Sequence, residues 1–282
     1  MLTWQVGAVK VTRVVEMELP VKAGAEFFMP QATAPELRKT PWLYPNFVSE
    51  DEIMQMSVHA LLVEAPGLRL VVDTCIGNDK PRALLRGGAL STDFLKDLEA
   101  VGWTRDSVDA VVCTHLHVDH VGWNTQLKAG KWVPTFANAR YVFGRTEYEH
   151  WRDHSDEPDK SAVFNDSVKP IADAGRADLV ASDARICDEI TLISTPGHSP
   201  GHVSLHIKSG GEEGLLTGDV AHHPCQMAHL DWSSTADSDP VQSAVTRREL
   251  FGRFADTPTL VIGGHFNAGR IRRDGNAFKY LV

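Results

Sequence analysis

The chain is expected to fold as an α/β (α+β) protein, a four-layer αββα sandwich in which two sheets face each other and helices cover their outer faces. Three observations point there. Apolar strand-like runs alternate with amphipathic helical segments, with no repeat of solenoid length and no low-complexity stretch. Histidines and aspartates recur just beyond apolar runs, as at Val111-Val112-Cys113 before His115, Leu215-Leu216 before Asp219 and Val261-Ile262 before His265, so polar chemistry gathers at strand ends. These clusters come from both halves of the 282 residues and must converge to share a site, so residues 1–282 read as a single domain.

In chain order, residues 1–20 alternate Val9, Val11, Val14 and Val15 with Lys10, Thr12, Arg13 and Glu16, a strand pattern that lacks the long apolar core of a signal peptide. Residues 57–65 and 68–73 form a hairpin about Pro66-Gly67, a turn pair. Residues 91–101 carry Phe94, Leu95, Leu98 and Val101 at helical spacing and stop at Gly102. Residues 149–183, rich in Asp, Ser and Ala, read as a helical insertion between the halves that helps to wall the site. Asp239-Pro240 opens a helix, with Asp as cap and Pro at the first helical position. Val241, Ala244, Val245, Phe251 and Phe254 follow on the face expected to be core.

The formal net charge of −9 argues against a nucleic-acid partner, which selects a basic stripe. Arg247-Arg248 and Arg270 with Arg272-Arg273 read as solvated surface. No stretch is apolar for long enough to span a membrane, so a soluble, cytoplasmic protein without a membrane partner is the expectation. The cysteines, Cys75, Cys113, Cys187 and Cys225, are widely spaced, which suggests neither a disulfide framework nor a thiolate metal site.

The densest cluster is Thr114-His115-Leu116-His117-Val118-Asp119-His120. In a nearly extended segment alternate residues point the same way, so His115 and His117 reach one metal together while Asp119 and His120 turn toward another point. Two adjacent divalent ions are the natural reading. Imidazole and carboxylate without thiolate suit zinc, with manganese, iron or cobalt as alternatives. Downstream, Thr195-Pro196-Gly197-His198-Ser199-Pro200-Gly201-His202, then Leu215-Leu216-Thr217-Gly218-Asp219, then Leu260-Val261-Ile262-Gly263-Gly264-His265 each set a His or Asp beyond an apolar run. His59, His150, His154, His206 and His229 belong to no such cluster and read as structural.

In this order, from Asp73 to His265, the motifs resemble those of the metallo-β-lactamase-fold hydrolases. The resemblance implies the αββα architecture and assigns His115, His117 and His198 to a first metal, Asp119, His120 and His265 to a second, and Asp219 to the bridge between them. It implies that Asp73, after Leu68-Arg69-Leu70-Val71-Val72, orients the ligand loop without touching a metal. His202 gains a packing or supporting role rather than ligation. Two such ions lower the pKa of a bridging water to about 7, so the expected nucleophile is a hydroxide and the reaction a hydrolysis.

Within the family, Asp219 as a bridge disfavours true β-lactamases, and His117, where flavodiiron proteins carry Glu, disfavours redox chemistry. His222, three residues beyond Asp219, resembles the methyl parathion hydrolase and lactonase-like branch, since many acyl-homoserine lactonases carry Tyr there. Its two readings are contact with a substrate oxygen or leaving group, and a loop histidine with a structural hydrogen bond. Asp119 and His222 are thus the residues expected to be catalytic. Trp123 and Phe266, adjacent to ligand loops, are expected to line a pocket for a small uncharged substrate. The leading reading is a dinuclear metal-dependent hydrolase of a small neutral ester or lactone. Its alternatives are a phosphotriesterase of the methyl parathion hydrolase type and a non-catalytic metal-binding protein. A basic anchor for a glutathione thioester is absent, and so is an RNA-grasping arm. Dimerisation is what the resemblance implies, many relatives being dimers.

Overall fold

The computed structural model describes residues 1–154 and 158–282. Its first strands are β1 (Leu2–Val6), β2 (Val9–Lys22), β3 (Ile53–Ala65), β4 (Leu68–Val72), β5 (Ala110–Cys113), β6 (Thr125–Lys128), β7 (Lys131–Pro134), β8 (Arg140–Gly144) and β9 (Ala177–Val180). All but the β6–β7 hairpin join one seven-stranded sheet in the order β1-β2-β3-β4-β5-β8-β9. Strands β10 (Ile190–Ser194), β11 (Val203–Ser209), β12 (Glu212–Leu216) and β13 (Leu260–Ile262) make a four-stranded sheet, and β14 (Arg270–Asp274) pairs with β15 (Ala277–Leu281). The helices are α1 (Ala34–Leu37), α2 (Phe94–Ala100), α3 (Arg145–Asp153), α4 (Pro158–Val163), α5 (Lys169–Asp173), α6 (Cys225–Ala228) and α7 (Pro240–Phe254).

Alternation along the strands sets the layers. Ala110 and Val112 of β5, with Leu70 and Val72 of β4, face Leu205, Leu216 and Ile262 of the other sheet. Val71, Val111 and Cys113 point the opposite way, onto Phe94 and Leu98 of α2 and onto Phe164 and Ile171. In the smaller sheet Leu215 and Val261 face outward, onto Leu250, Phe251 and Phe254 of α7. Three apolar layers thus separate four layers of structure, the αββα order the sequence predicts. Each fully buried Val or Leu in them contributes roughly 1.5–3 kcal/mol.

The expected hairpin is β3–β4, with Ala65 paired to Leu68 across the turn. The N-terminal strand pattern resolves into β1 and β2, and the register of β2 against β3 shifts between Val15 and Met17. That irregularity turns the Glu16 carboxylate inward, where it accepts from Ile76 N at 2.8 Å and Trp123 Nε1 at 2.6 Å. In the expected insertion, α3, α4 and α5 with a π-helical turn at Phe164–Val168 run to Asp173, and the chain then returns as β9 to the sheet edge. The strand there follows from Leu179 and Val180 packing on opposite faces of the sheet. Residues Ser155, Asp156 and Glu157 of that insertion lie outside the described residues.

Helix α7 starts as expected, with the Asp239 side chain accepting from Gln242 N at 2.9 Å. Phe251 and Phe254 are buried as expected, but the N-terminal half of the helix buries a different side. Val241 and Val245 are exposed, while Ser243, Thr246, Arg247, Leu250, Phe251 and Phe254 are buried. The cause is Arg247, expected at the surface but fully buried. Its guanidinium donates to Leu230 O (3.0 Å), Val220 O (3.2 Å), Trp232 O (2.9 Å) and Ser233 Oγ (3.3 Å), and lies 3.6 Å from Asp237 Oδ2. The carbonyls of the 220–233 loop thus outbid two valines for the buried side of the helix. Among the described residues no helix is long and apolar enough to cross a membrane. Replacing Arg247 with Met would strand these acceptors and the Asp237 charge, and is expected to cost roughly 3–5 kcal/mol in denaturant unfolding; a loss under about 1 kcal/mol would contradict the hub role assigned to it.

Candidate metal centre

The expected ligands all leave strand ends at one edge of the two sheets. Asp73 follows β4, residues 114–120 follow β5, His198 lies between β10 and β11, Asp219 follows β12 and His265 follows β13. Backbone bonds stitch the loops together: Val203 N donates to Thr114 O (2.9 Å), Ser57 N to His265 O (3.0 Å) and Thr217 N to Ile262 O (2.9 Å). Asp73, in a left-handed backbone conformation at φ 56°, accepts from Thr114 N at 2.8 Å, Thr114 Oγ1 at 2.9 Å and His120 Nδ1 at 2.9 Å. It orients the cluster from outside.

Four of the rings, His115, His120, His198 and His265, have an outward and an inward nitrogen, and the outward partner bears on the tautomer. Thr114 Oγ1 gives its proton to Asp73, so it accepts from His115 Nδ1 (3.0 Å). His120 Nδ1 donates to Asp73, His198 Nδ1 to Asp237 Oδ1 (2.8 Å) and His265 Nδ1 to Ser57 O (3.1 Å). The inward Nε2 atoms of His115 and His198 therefore present lone pairs, while those of His120 and His265 face the Asp219 carboxylate, which favours positive charge there, a proton or a metal ion. All four converge on Asp219 Oδ2, at 3.1 Å from His265, 3.2 Å from His120, 3.5 Å from His198 and 3.8 Å from His115. His198 Nε2 also meets His115 Nε2 at 3.1 Å and His117 Nδ1 at 2.8 Å.

Ligand atoms of His115, His117 and His198 lie within 4.8 Å of one another, as do those of Asp119, His120 and His265; Asp219 groups with His115 and His120 and so touches both sets. A fourth group, His198, Asp219 and His222, joins the bridging carboxylate to one ring of the first set. The facing lone pairs of His115 and His198 repel unless a cation lies between them, and the Asp219 carboxylate draws positive charge onto the nitrogens around it. His120 Nε2 and Asp219 Oδ1 are moreover buried with no hydrogen-bond partner among the described residues. Divalent ions fit this donor set, which holds nitrogen and oxygen and no sulfur. Gly264 keeps the centre tight, since a Cβ there would press into Asp219 Oδ1.

The electrostatics split the rings. Burial, reinforced by neighbouring imidazoles, holds His115 and His198 well below the usual histidine range. Burial brings His117 down to about 4. For His120 burial acts the same way but is outweighed by the Asp219, Asp119 and Asp73 carboxylates, which hold the ring well above that range; Asp219 does the same for His265 to a smaller degree. Neutral rings are the form that ligates a cation.

His222 also enters the centre. Its Nε2 is 3.3 Å from Asp219 Oδ2, its ring meets those of His198 and Phe28 edge-on, and its Nδ1 has no partner; burial lowers it to about 3. His202 lies beside the centre with both nitrogens engaged: Nε2 accepts from Asp219 N (2.9 Å) and Nδ1 donates to Thr195 Oγ1 (2.8 Å). The supporting role expected for it is what the geometry gives.

Two adjoining cavities open on the centre. One, of about 490 Å³, is lined by Arg82, Leu116, His117, Trp151, Phe164 and Asp237. The other, of about 240 Å³, is lined by Met17, Leu19, Phe28, Met56, His222 and His265. Trp123 and Phe266, expected here, line neither. Trp123 is drawn into the core by its bond to Glu16 and its stacking on Phe94, and Phe266 packs edge-on against Tyr280. His120 and His265, close to them in the chain, enter the centre, but their own side chains turn away. Asp237, the acceptor behind His198, escaped the sequence reading because it lies 39 residues away in a loop without motif. The composition of Ser233-Ser234-Thr235-Ala236-Asp237 gives no signal.

A family model described as Metallo-beta-lactamase superfamily matches residues 54–265. The chain is similar to an N-acyl homoserine lactonase of Bacillus thuringiensis, 31% identical over 126 residues, which cover 44% of this chain and 43% of the relative. It thus spans less than half the length of that relative. A probable metallo-hydrolase, YybB, of Bacillus subtilis (strain 168) is 27% identical over 175 residues, 55% of this chain and 63% of that protein. Among solved structures, the dizinc quorum-quenching lactonase AidC superposes with a TM-score of 0.80 at 20% identity, covering 99% of this chain and 96% of the other. The hydrolase AbOPH does so at 0.79 and 23%, with coverage of 99% and 96%. At these identities the structural likeness establishes the fold.

Asp237→Asn keeps the shape behind His198 and removes the charge that makes its inward nitrogen basic. Calorimetric titration with zinc should show affinity weakened about 10–100-fold, and an unchanged titration would remove Asp237 from the supporting set.

Proposed function

Because the chain belongs to the metallo-β-lactamase superfamily, we propose that it is a dinuclear metal-dependent hydrolase that opens a lactone or cleaves a small neutral carboxylic ester. The observation that carries this reading is the convergence of inward ring nitrogens on Asp219 with their outward nitrogens tied down. In it His115, His117 and His198 hold one ion, Asp119, His120 and His265 the other, and Asp219 joins both. Zinc is the proposed metal, in keeping with the ligand types and with the dizinc relative of the same fold. Since the ligands leave both sheets, residues 1–282 act as one domain.

Bound, the ion pair supplies a deprotonated water near neutral pH and a Lewis acid for the substrate oxygen. The protein supplies the rest. Buried rings with fixed outward partners keep the centre rigid, so little reorganisation accompanies the reaction. His222, as a neutral ring beside Asp219, donates a hydrogen bond to the carbonyl or leaving oxygen. Met17, Leu19, Phe28 and Met56 receive an apolar substituent and exclude water from the reacting bond. Neutral lactones suit this lining, as does the lactonase activity that the Bacillus thuringiensis relative is named for.

Phosphotriester hydrolysis is the second reading, favoured by His222 at its position beyond Asp219. A panel of lactones, aryl esters and phosphotriesters run with zinc, manganese and cobalt separates the two: lactones or esters should turn over fastest, and a large preference for phosphorus would reverse the order. Chelation should abolish turnover and zinc restore it. Asp119→Ala should cut kcat/KM at least about a hundredfold with an unchanged circular dichroism spectrum; full activity in that variant would rule out the two-ion mechanism.

A further inference from the structure

Glu147, in the first turn of α3, belongs to none of the groups above, yet the two loops of the first metal group meet at its carboxylate. Oε1 accepts from Leu116 N at 3.0 Å, the residue between His115 and His117, and from Trp151 Nε1 at 2.6 Å. Oε2 accepts from Ser199 Oγ at 2.8 Å and Gly201 N at 2.9 Å, just beyond His198. Glu147 is 1% exposed, so these bonds form out of water, where charge-assisted bonds are strongest. Gly201 lies directly on the helix: a Cβ there would collide with Glu147 N. Among the described residues no other side chain hydrogen-bonds to the backbone of both loops. The backbone bond from Val203 N to Thr114 O joins the loops at their outer ends only.

The second group is anchored elsewhere. His120 hangs from Asp73 and His265 from Ser57, and none of Glu147's donors belongs to Asp119, His120 or His265. We propose that Glu147 is a positioning residue that sets the separation of the His115/His117 pair from His198, and so fixes the affinity of the first metal position independently of the second. The proposal rests on the two-ion reading. It concerns ion affinity rather than turnover, because Glu147 accepts from the ligand loops and touches no ligand ring.

The test titrates zinc into metal-free protein carrying Glu147→Gln in two backgrounds. His265→Ala leaves the first group intact, and His198→Ala leaves the second. Gln offers one acceptor oxygen and an amide donor to a pocket of four donors, so E147Q should weaken zinc about 10–100-fold in the His265→Ala background and change it less than about twofold in the His198→Ala background. Ser199→Ala, which removes a single donor, should shift the same site in the same direction by a smaller factor, and it decides the question if E147Q does not fold. An equal loss in both backgrounds would mark Glu147 as generally structural, and no loss in either would remove it altogether; both outcomes overturn the proposal. Wild-type protein that binds two zinc ions but hydrolyses nothing in the substrate panel would sink the proposed function and leave this inference standing.

Discussion

Everything in the centre depends on one electrostatic arrangement: a buried carboxylate, Asp219, ringed by the inward nitrogens of imidazoles whose outward nitrogens are already committed. Water cannot relieve it, because these groups are almost fully buried. Rotation of the rings cannot relieve it either, since turning any one of them would break its bond to Asp73, Asp237, Ser57 or Thr114. The charge pattern holds a site open for cations by making every alternative costly. Burial thus favours positive charge at the centre. The same low-dielectric setting amplifies whatever field the ions provide to a substrate.

The fold is what allows such a cluster to exist. Parallel pairing of β4 with β5 and of β12 with β13 brings Asp73, the 114–120 loop, Asp219 and His265 to one edge. The sheets pack through an apolar layer of Val, Leu and Ile that reaches this edge, so the polar groups sit at the end of a rigid double sheet rather than on a free loop. Helix α7 closes the far side. Its buried Arg247 satisfies carbonyls of the 220–233 loop and approaches Asp237, so the support behind His198 is itself supported. Hydrophobic layers provide the stability, and a connected set of hydrogen bonds provides the geometry.

What the sequence disclosed follows from this division. Strand alternation, the β3–β4 hairpin and the Asp239-Pro240 helix start are local signals, and the ligand motifs are local too, since each sits within a few residues of its strand end. Asp237, Glu147 and Arg247 act across 39, 31 and 17 residues on His198, Leu116 and Leu230, and nothing near them in the chain distinguishes them from an ordinary surface acid or base. The cavity lining was illegible for a related reason. Trp123 follows a ligand loop by three residues, but a bond from its indole to Glu16, 107 residues earlier, turns it into the core. Phe28 and Met56, from distant segments, take the place beside the ions. Side-chain direction is a tertiary property, and adjacency in sequence is a poor guide to it.

Hydrogen-bond accounting separates the histidines that serve the fold from those that serve the site. His59 spends its nitrogens on Ser57 Oγ and Gly263 O, His223 on Cys225 N and Phe47 O, and His202 on Asp219 N and Thr195 Oγ1. Each is saturated and has nothing to offer an ion. His222 stands one residue from His223 in the same loop, yet its Nδ1 has no partner and its Nε2 faces Asp219. A buried ring with unspent bonding capacity is unfavourable on its own, and it is this capacity that the proposed hydrogen bond to a substrate oxygen would use. The difference between the two neighbours therefore lies in what their surroundings leave unsatisfied.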